Sequence, residues 1–233
     1  MPDNSTHPSK PERITMSTIG ATLLGVFNLD KGVFHTLIAL TLYPGKAIRE
    51  YLYEDRSKLS KVLSFLFFFT AISAFLTINV IPFEKMMGDP TQIGDSPAEK
   101  AMLEFSHYYA KYMNPIMLTT VPITSIFSYF FFKKPQMYYA EHLVINSYIF
   151  SYHSFIYLLL TPLFIYAPSS TISGYFMVTF AYSCYAYVKI FDYETFEAVM
   201  RNLGVTLFVY LIIFLLITVA MLIFIYIKVR YSS

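Results

Sequence analysis

A single cysteine, Cys184, excludes an internal disulfide and any zinc site built on cysteines. Tryptophan is absent altogether, so the side chains that anchor a chain at a membrane–water interface have to come from the 21 tyrosines. Charge is scarce too. Asp, Glu, Lys and Arg make up 14% of the 233 residues, against roughly a quarter in soluble domains, and a net charge of +2 is too small for a nucleic-acid-binding surface. The first residues, MPDNSTHPSKPERIT, contain no apolar stretch behind a basic start, so no cleaved leader is expected. A nucleophile elbow, a phosphate loop, an HExxH helix and paired intramembrane carboxylates are all missing. No catalytic residue, cofactor or metal ligand is assigned, and the balance leans away from an enzyme.

What the chain has is apolar length. Hydrophobic residues make up 56% of it, and five apolar runs stand out at residues 62–82, 113–132, 140–167, 172–190 and 203–227. At 1.5 Å per residue each is about long enough to cross some 30 Å of hydrocarbon, which predicts an all-α, polytopic membrane protein with about five transmembrane helices. The fourth run is the wettest, with Tyr175, Tyr182, Ser183, Tyr185 and Tyr187. Were it re-entrant, four spans would remain. Tyr175, Tyr182 and Tyr185 share one side of it, where they would line a wet cavity, with interfacial anchoring the alternative for Tyr175 alone.

The flanks complete the organisation. Residues 1–16 read as a polar, disordered N-terminus, and residues 17–61 as short amphipathic interfacial helices broken at Gly32 and at Pro44-Gly45, preceding a bundle over 62–233. An external loop is expected at 83–112. Within it Ser96 and Glu99 form a capping-box pair with Pro97 at the first helical position, which predicts a short helix leading to the second span. Thr120, Thr124 and Ser128 give that span a small-residue face for close packing. Eight Lys and Arg precede the first run, Lys133 and Lys134 follow the second, and Lys189 and Arg201 separate the fourth from the fifth, against five in the alternate segments. The positive-inside rule then predicts a cytoplasmic N-terminus and an external C-terminus.

Ionisable and amide side chains inside an apolar run are costly and mark the place to look for function. The third run carries Glu141, His142, Asn146 and His153. His153 lies eleven residues beyond His142, a rotation only about 20° past three full turns, so the two imidazoles share a face. Asn146 and Tyr157 join that stripe, while Glu141 is offset by about 100°. The histidines are roughly 16 Å apart along the axis, too far to share a metal ion. One reading is an inward-facing polar seam, a pathway or a headgroup site. The other makes Glu141 a first-turn anion on the helix dipole, His142 an interfacial residue, and Asn146 and His153 interhelical hydrogen-bonders. Lys46, Arg49, Arg56, Lys58 and Lys61, just before the first run, are candidates for anionic lipid headgroups or for setting topology.

The stretch FNLDKGVFHTLIALTLYPGKAIREYL, followed by EDRSKLSK and an apolar run, resembles the start of domain-of-unknown-function family 3667 (DUF3667), bacterial polytopic membrane proteins. Its pattern falls on Phe27, Asp30, Lys31, Gly32, Thr36, Pro44, Gly45, Arg49, Glu50, Tyr51 and Arg56. YAEHLVINSYIFSYHSF resembles a second family segment, through Glu141, His142, Ser154 and Phe155. The cysteine-rich head of many relatives is absent, and Tyr152 stands where a histidine is common. The resemblance implies the inner membrane of a bacterium and no activity. The leading expectation is a non-catalytic membrane protein that binds lipid or a partner, the alternatives a small transporter or proton-coupled channel using the seam, and a lipid-modifying enzyme. Expected partners are membrane lipids, with a membrane protein or a second copy as alternatives, and no nucleic acid.

Overall fold

The computed structural model describes residues 32–80, 96–134 and 137–231. The polar N-terminus, Phe27, Asp30 and Lys31, and the turn-rich part of the 83–112 loop lie outside the described residues. Every regular element among the described residues is helical: α1 (Gly32–Leu42), α2 (Pro44–Tyr53), α3 (Val62–Asn79), α4 (Pro97–Leu118), α5 (Thr120–Phe131), α6 (Tyr139–Tyr166), α7 (Pro168–Phe191) and α8 (Thr195–Tyr231). Three of these, α3, α6 and α8, are long and apolar enough to cross a membrane. The chain is an all-α polytopic membrane protein. The second and fourth apolar runs, α4–α5 and α7, pack beside those three with a wetter composition.

Neighbour pairs fix the directions. α3 runs parallel to α6, with the Tyr148 hydroxyl donating to Ser60 O (2.7 Å) just before α3 and Thr77 Oγ1 meeting Tyr157 OH (2.8 Å) near its far end. α7 is antiparallel to α6, pairing Tyr187 with Asn146 at one end and Tyr175 with Tyr157 at the other. α8 opposes α4–α5, from Phe131 with Phe208 to Phe105 with Phe224. Lipid gives helices no hydrophobic reason to associate, so their contacts rely on small and polar side chains. Ser73, Thr77, Ser125, Ser128, Ser147, Ser151 and Ser154 are all buried accordingly. The outer faces are apolar, and α8 exposes Leu207, Leu211, Phe214, Leu215, Leu216 and Leu222.

Sequence signals set several boundaries. Ser96 caps α4 as expected, its Oγ accepting from Glu99 N (3.2 Å) while its own N–H donates to Glu99 Oε2 (3.1 Å). That helix is not a separate external piece. It continues for 22 residues into the second apolar run and breaks at Thr119. Pro122 has no N–H for the Leu118 carbonyl, and the hydroxyls of Thr119 and Thr120 turn back to Ile116 O and Met117 O, both at 2.6 Å.

α1 is described from Gly32 onward and α2 begins at Pro44, but the two helices do not simply lie on lipid. α1 and α2 dock on one end of the bundle and bury Val33, Thr36, Leu37, Leu40, Ala47 and Ile48. α2 is amphipathic. α1 is apolar on both sides, with Phe34 78% exposed opposite the buried face. Gly45 lies against the end of α7, where a Cβ would overlap the Lys189 carbonyl.

Candidate functional site

α6 turns His142, Asn146 and Tyr157 inward, exposing each by 7% or less, and His153 is half-buried on the same side. The stripe divides into two places. Nearest α1 and α2 is a closed hydrogen-bond cluster. Asn146 Nδ2 donates to Ser128 Oγ (2.8 Å) and to His142 O (2.7 Å), while Asn146 Oδ1 accepts from Tyr187 OH (2.5 Å). Ser128 Oγ lies 2.9 Å from His142 Nδ1 and 3.2 Å from Ser125 O. It has one proton to give, and the shorter contact assigns that proton to His142, which places the imidazole hydrogen on Nε2. Nε2 is buried without a hydrogen-bond partner among the described residues, the ring stacked on Phe191 and perpendicular to Tyr129. Phe132 lies flat on Phe191 and against Tyr187 (centroids 4.9 and 4.6 Å), closing this end with aromatic rings.

Above the cluster, between α4–α5, α6, α7 and α8, lies a cavity of about 250 Å³. Its polar strip comes from α6 and α7. His153 Nε2 meets Ser183 Oγ at 3.0 Å, and Ser183 donates to Thr179 O (2.9 Å), so the imidazole proton is on Nε2 here too. Tyr157 closes the far end with its hydroxyl on Thr77. The opposite wall is largely apolar, with Met113 and Met117 of α4 and Val205, Val209 and Ile213 of α8, and carries Thr120, Thr124, Asn202 and Thr206 as its polar groups. Asn146 is the member of the inner cluster from α6 that reaches the cavity; His142 does not.

The remaining candidates have other roles. Glu141 accepts a hydrogen bond from Tyr138 N (2.6 Å) through its carboxylate, capping the first turn of α6 outside the seam. Glu141 and His142 therefore do not converge on a pocket. Tyr175 lines the cavity, but Tyr182 and Tyr185 donate instead to Leu40 O (3.1 Å) and Leu42 O (2.9 Å), carbonyls of the last turn of α1 that the helix cannot satisfy itself. Lys46 and Lys58 lie 3.8 and 3.4 Å from Glu50, and Arg49 lies 3.7 Å from Asp192. Arg56 and Lys61 are exposed and have no ion pair among the described residues. No group of three or more metal-ligating side chains forms among the described residues.

Residues 30–74 match the family model described as protein of unknown function (DUF3667). Over that stretch the chain is similar to DUF3667. The match covers α1, α2 and most of α3, and leaves Glu141 and His142 outside it. Its pattern residues have structural jobs in this fold. The Thr36 hydroxyl accepts from Ser60 N (2.8 Å), Gly45 permits contact with α7, Tyr51 packs edge-on against Tyr148 (5.3 Å), and Arg49 and Glu50 carry ion pairs to Asp192 and to Lys46 and Lys58. The DUF3667 segment thus docks a helical pair onto one end of the bundle. No curated protein and no solved structure matches the chain.

Ser128, Ser183, Tyr187 and Asn202 are the site residues that sequence reasoning missed as such. Ser128 reads as a packing residue because its spacing with Thr120 and Thr124 describes a small face equally well. Asn202 stands just before the fifth run, where a polar residue is unremarkable.

Proposed function

We propose that the protein is a non-catalytic, multi-pass protein of a bacterial cytoplasmic membrane that binds a lipid between α4–α5, α6, α7 and α8. The observation that carries this reading is the cavity itself, with one apolar wall, one polar strip and an end closed by rings. Ligand sites are concave, largely apolar and fitted with a few placed polar groups, and this one has that composition at bundle depth. The aromatic closure formed by Phe132, Phe191 and Tyr187 weighs against a continuous proton or solute path. In this reading the chain crosses five times with the α1–α2 end in the cytoplasm. Lys133, Lys134, Lys189 and the cations from Lys46 to Lys61 gather at that end, as the positive-inside rule favours. Of the five cations from Lys46 to Lys61, Arg56 and Lys61 are those without an ion pair among the described residues, and each contributes about 1 kcal/mol toward anionic headgroups.

The test is retention of lipid through purification. Protein isolated in mild detergent and extracted for mass spectrometry is expected to hold about one lipid per chain, and Val209→Trp, which fills the apolar wall, to hold far less. Equal lipid in both proteins would sink the reading.

A further inference from the structure

We propose that the ligand of this cavity is an uncharged lipid with a hydroxyl head seated on Asn202 and a chain that leaves between α7 and α8. The proposal rests on the cavity being a lipid site and adds the class of lipid. Among the described residues, no Asp, Glu, Lys or Arg lines the cavity. A phosphate or carboxylate head would therefore lose its hydration with no opposite charge to replace it, which a low-dielectric site penalises heavily. The head must be neutral.

Asn202 selects among neutral heads. It lines the cavity from the start of α8, is 2% exposed, and donates Nδ2 to Cys184 Sγ (3.1 Å), leaving Oδ1 without a partner among the described residues. With the amide turned over, the carbonyl would accept from the thiol and Nδ2 would be the free end. A hydroxyl both donates and accepts, so it satisfies Asn202 in either orientation. A quinone or ester carbonyl satisfies only one, and a hydrocarbon neither. From Asn202 the face of α8 continues through Val205, Val209 and Ile213, an apolar track along the helix. It ends near Phe176 and Tyr210, whose rings are 6.1 Å apart across α7 and α8. Both rings line the cavity and are about half exposed on the bundle surface, 48% and 50%, as expected where a chain passes to the surrounding lipid.

The experiment uses the full chain, immobilised in detergent, and radiolabelled 1-tetradecanol displaced by unlabelled competitors of similar length. Wild-type protein should release the label to 1-tetradecanol at a concentration about tenfold lower than to tetradecane, tetradecanoate or a decyl-substituted quinone, the effect of about one buried hydrogen bond. Asn202→Val should bring the alcohol down to the level of the alkane, and the wild-type ranking tests the idea even if that variant folds poorly. Equal displacement by alcohol and alkane, or a preference for the carboxylate or the quinone, overturns the hydroxyl head while leaving a lipid cavity. Absence of saturable retention, or retention unchanged in Val209→Trp, overturns the lipid cavity and this proposal with it.

Discussion

Asn146 is the residue on which the inner cluster depends, because its three hydrogen bonds join α5, α6 and α7 through Ser128, His142 and Tyr187. Asn146→Leu keeps the volume but strands the Tyr187 hydroxyl in an apolar setting, which costs about 1–3 kcal/mol. Thermal unfolding read by a thiol-reactive dye at buried Cys184 should show this loss, and adding Tyr187→Phe should recover part of it. Strictly additive losses would mean that the two residues do not act as a pair. Asp55 gives the pH dependence outside the membrane. The Ser57 hydroxyl and N–H, at 2.7 and 2.8 Å, hold its carboxyl below the usual carboxylate value. A lowered folded-state value means that the contribution is complete above the ordinary carboxylate range and is lost only as pH falls through the lower value. The protection factor of the Ser57 amide, corrected for the intrinsic pH dependence of exchange, should therefore hold at neutral pH and fall in acid, and Asp55→Asn should remove that dependence. An amide whose protection ignores acid in the parent protein would contradict this.

The helices differ in what holds them. α3 and α6 meet through serines, threonines and rings along their whole length, whereas α1 and α2 are attached by a few particular contacts at one end. Gly45 is the tightest of these, since its Cα approaches the last turn of α7 where a side chain has no room. Gly45→Ala should push α2 off the bundle at a cost of about 1–3 kcal/mol, the usual range for overpacking. Amide protection over residues 45–53 should fall while that of α6 is kept. Unchanged protection in α2 would show that the contact yields without consequence. The same logic explains Tyr182 and Tyr185. Their hydroxyls are long arms from α7 that satisfy the open carbonyls of α1, tying the docked pair to the helix that also lines the cavity.

For the molecule as a whole, alternating helix directions put residues 54–61, 132–134, 137–138 and 192–194 at one end and residue 228 at the other. Lys228 meets Glu104 at 2.7 Å there, joining the end of α8 to the start of α4. In a Cys184→Ser background, cysteines replacing Lys61 and Lys133 should react with an impermeant reagent from the same side of the membrane. A cysteine replacing Lys228 should react from the opposite side. Labelling of Lys61→Cys and Lys228→Cys from one side would require an even number of crossings and would sink the five-pass topology. The lipid-retention test belongs to this scale as well, because every helix from α3 to α8 lines the cavity and all have to come together before there is one to fill.

By itself the sequence determined those properties that composition and local chemistry control. Apolar run length makes the chain a helical membrane protein, and Ser96 with Glu99 starts α4 because a capping box is satisfied within one turn. Pro44 opens a helix for reasons contained in its own backbone, and the eleven-residue spacing of His142 and His153 places both imidazoles on one face of α6. Only the tertiary structure decided what those side chains meet. Ser128 becomes a hydrogen-bond hub because α5 brings it to His142 and Asn146, and Tyr182 serves α1 because that helix ends beside it. Asn202 lines a cavity because α4 to α7 are placed around its face of α8. Periodicity gives the direction of a side chain on its own helix, but the identity of its partner depends on how distant helices are placed, and no local pattern carries that information.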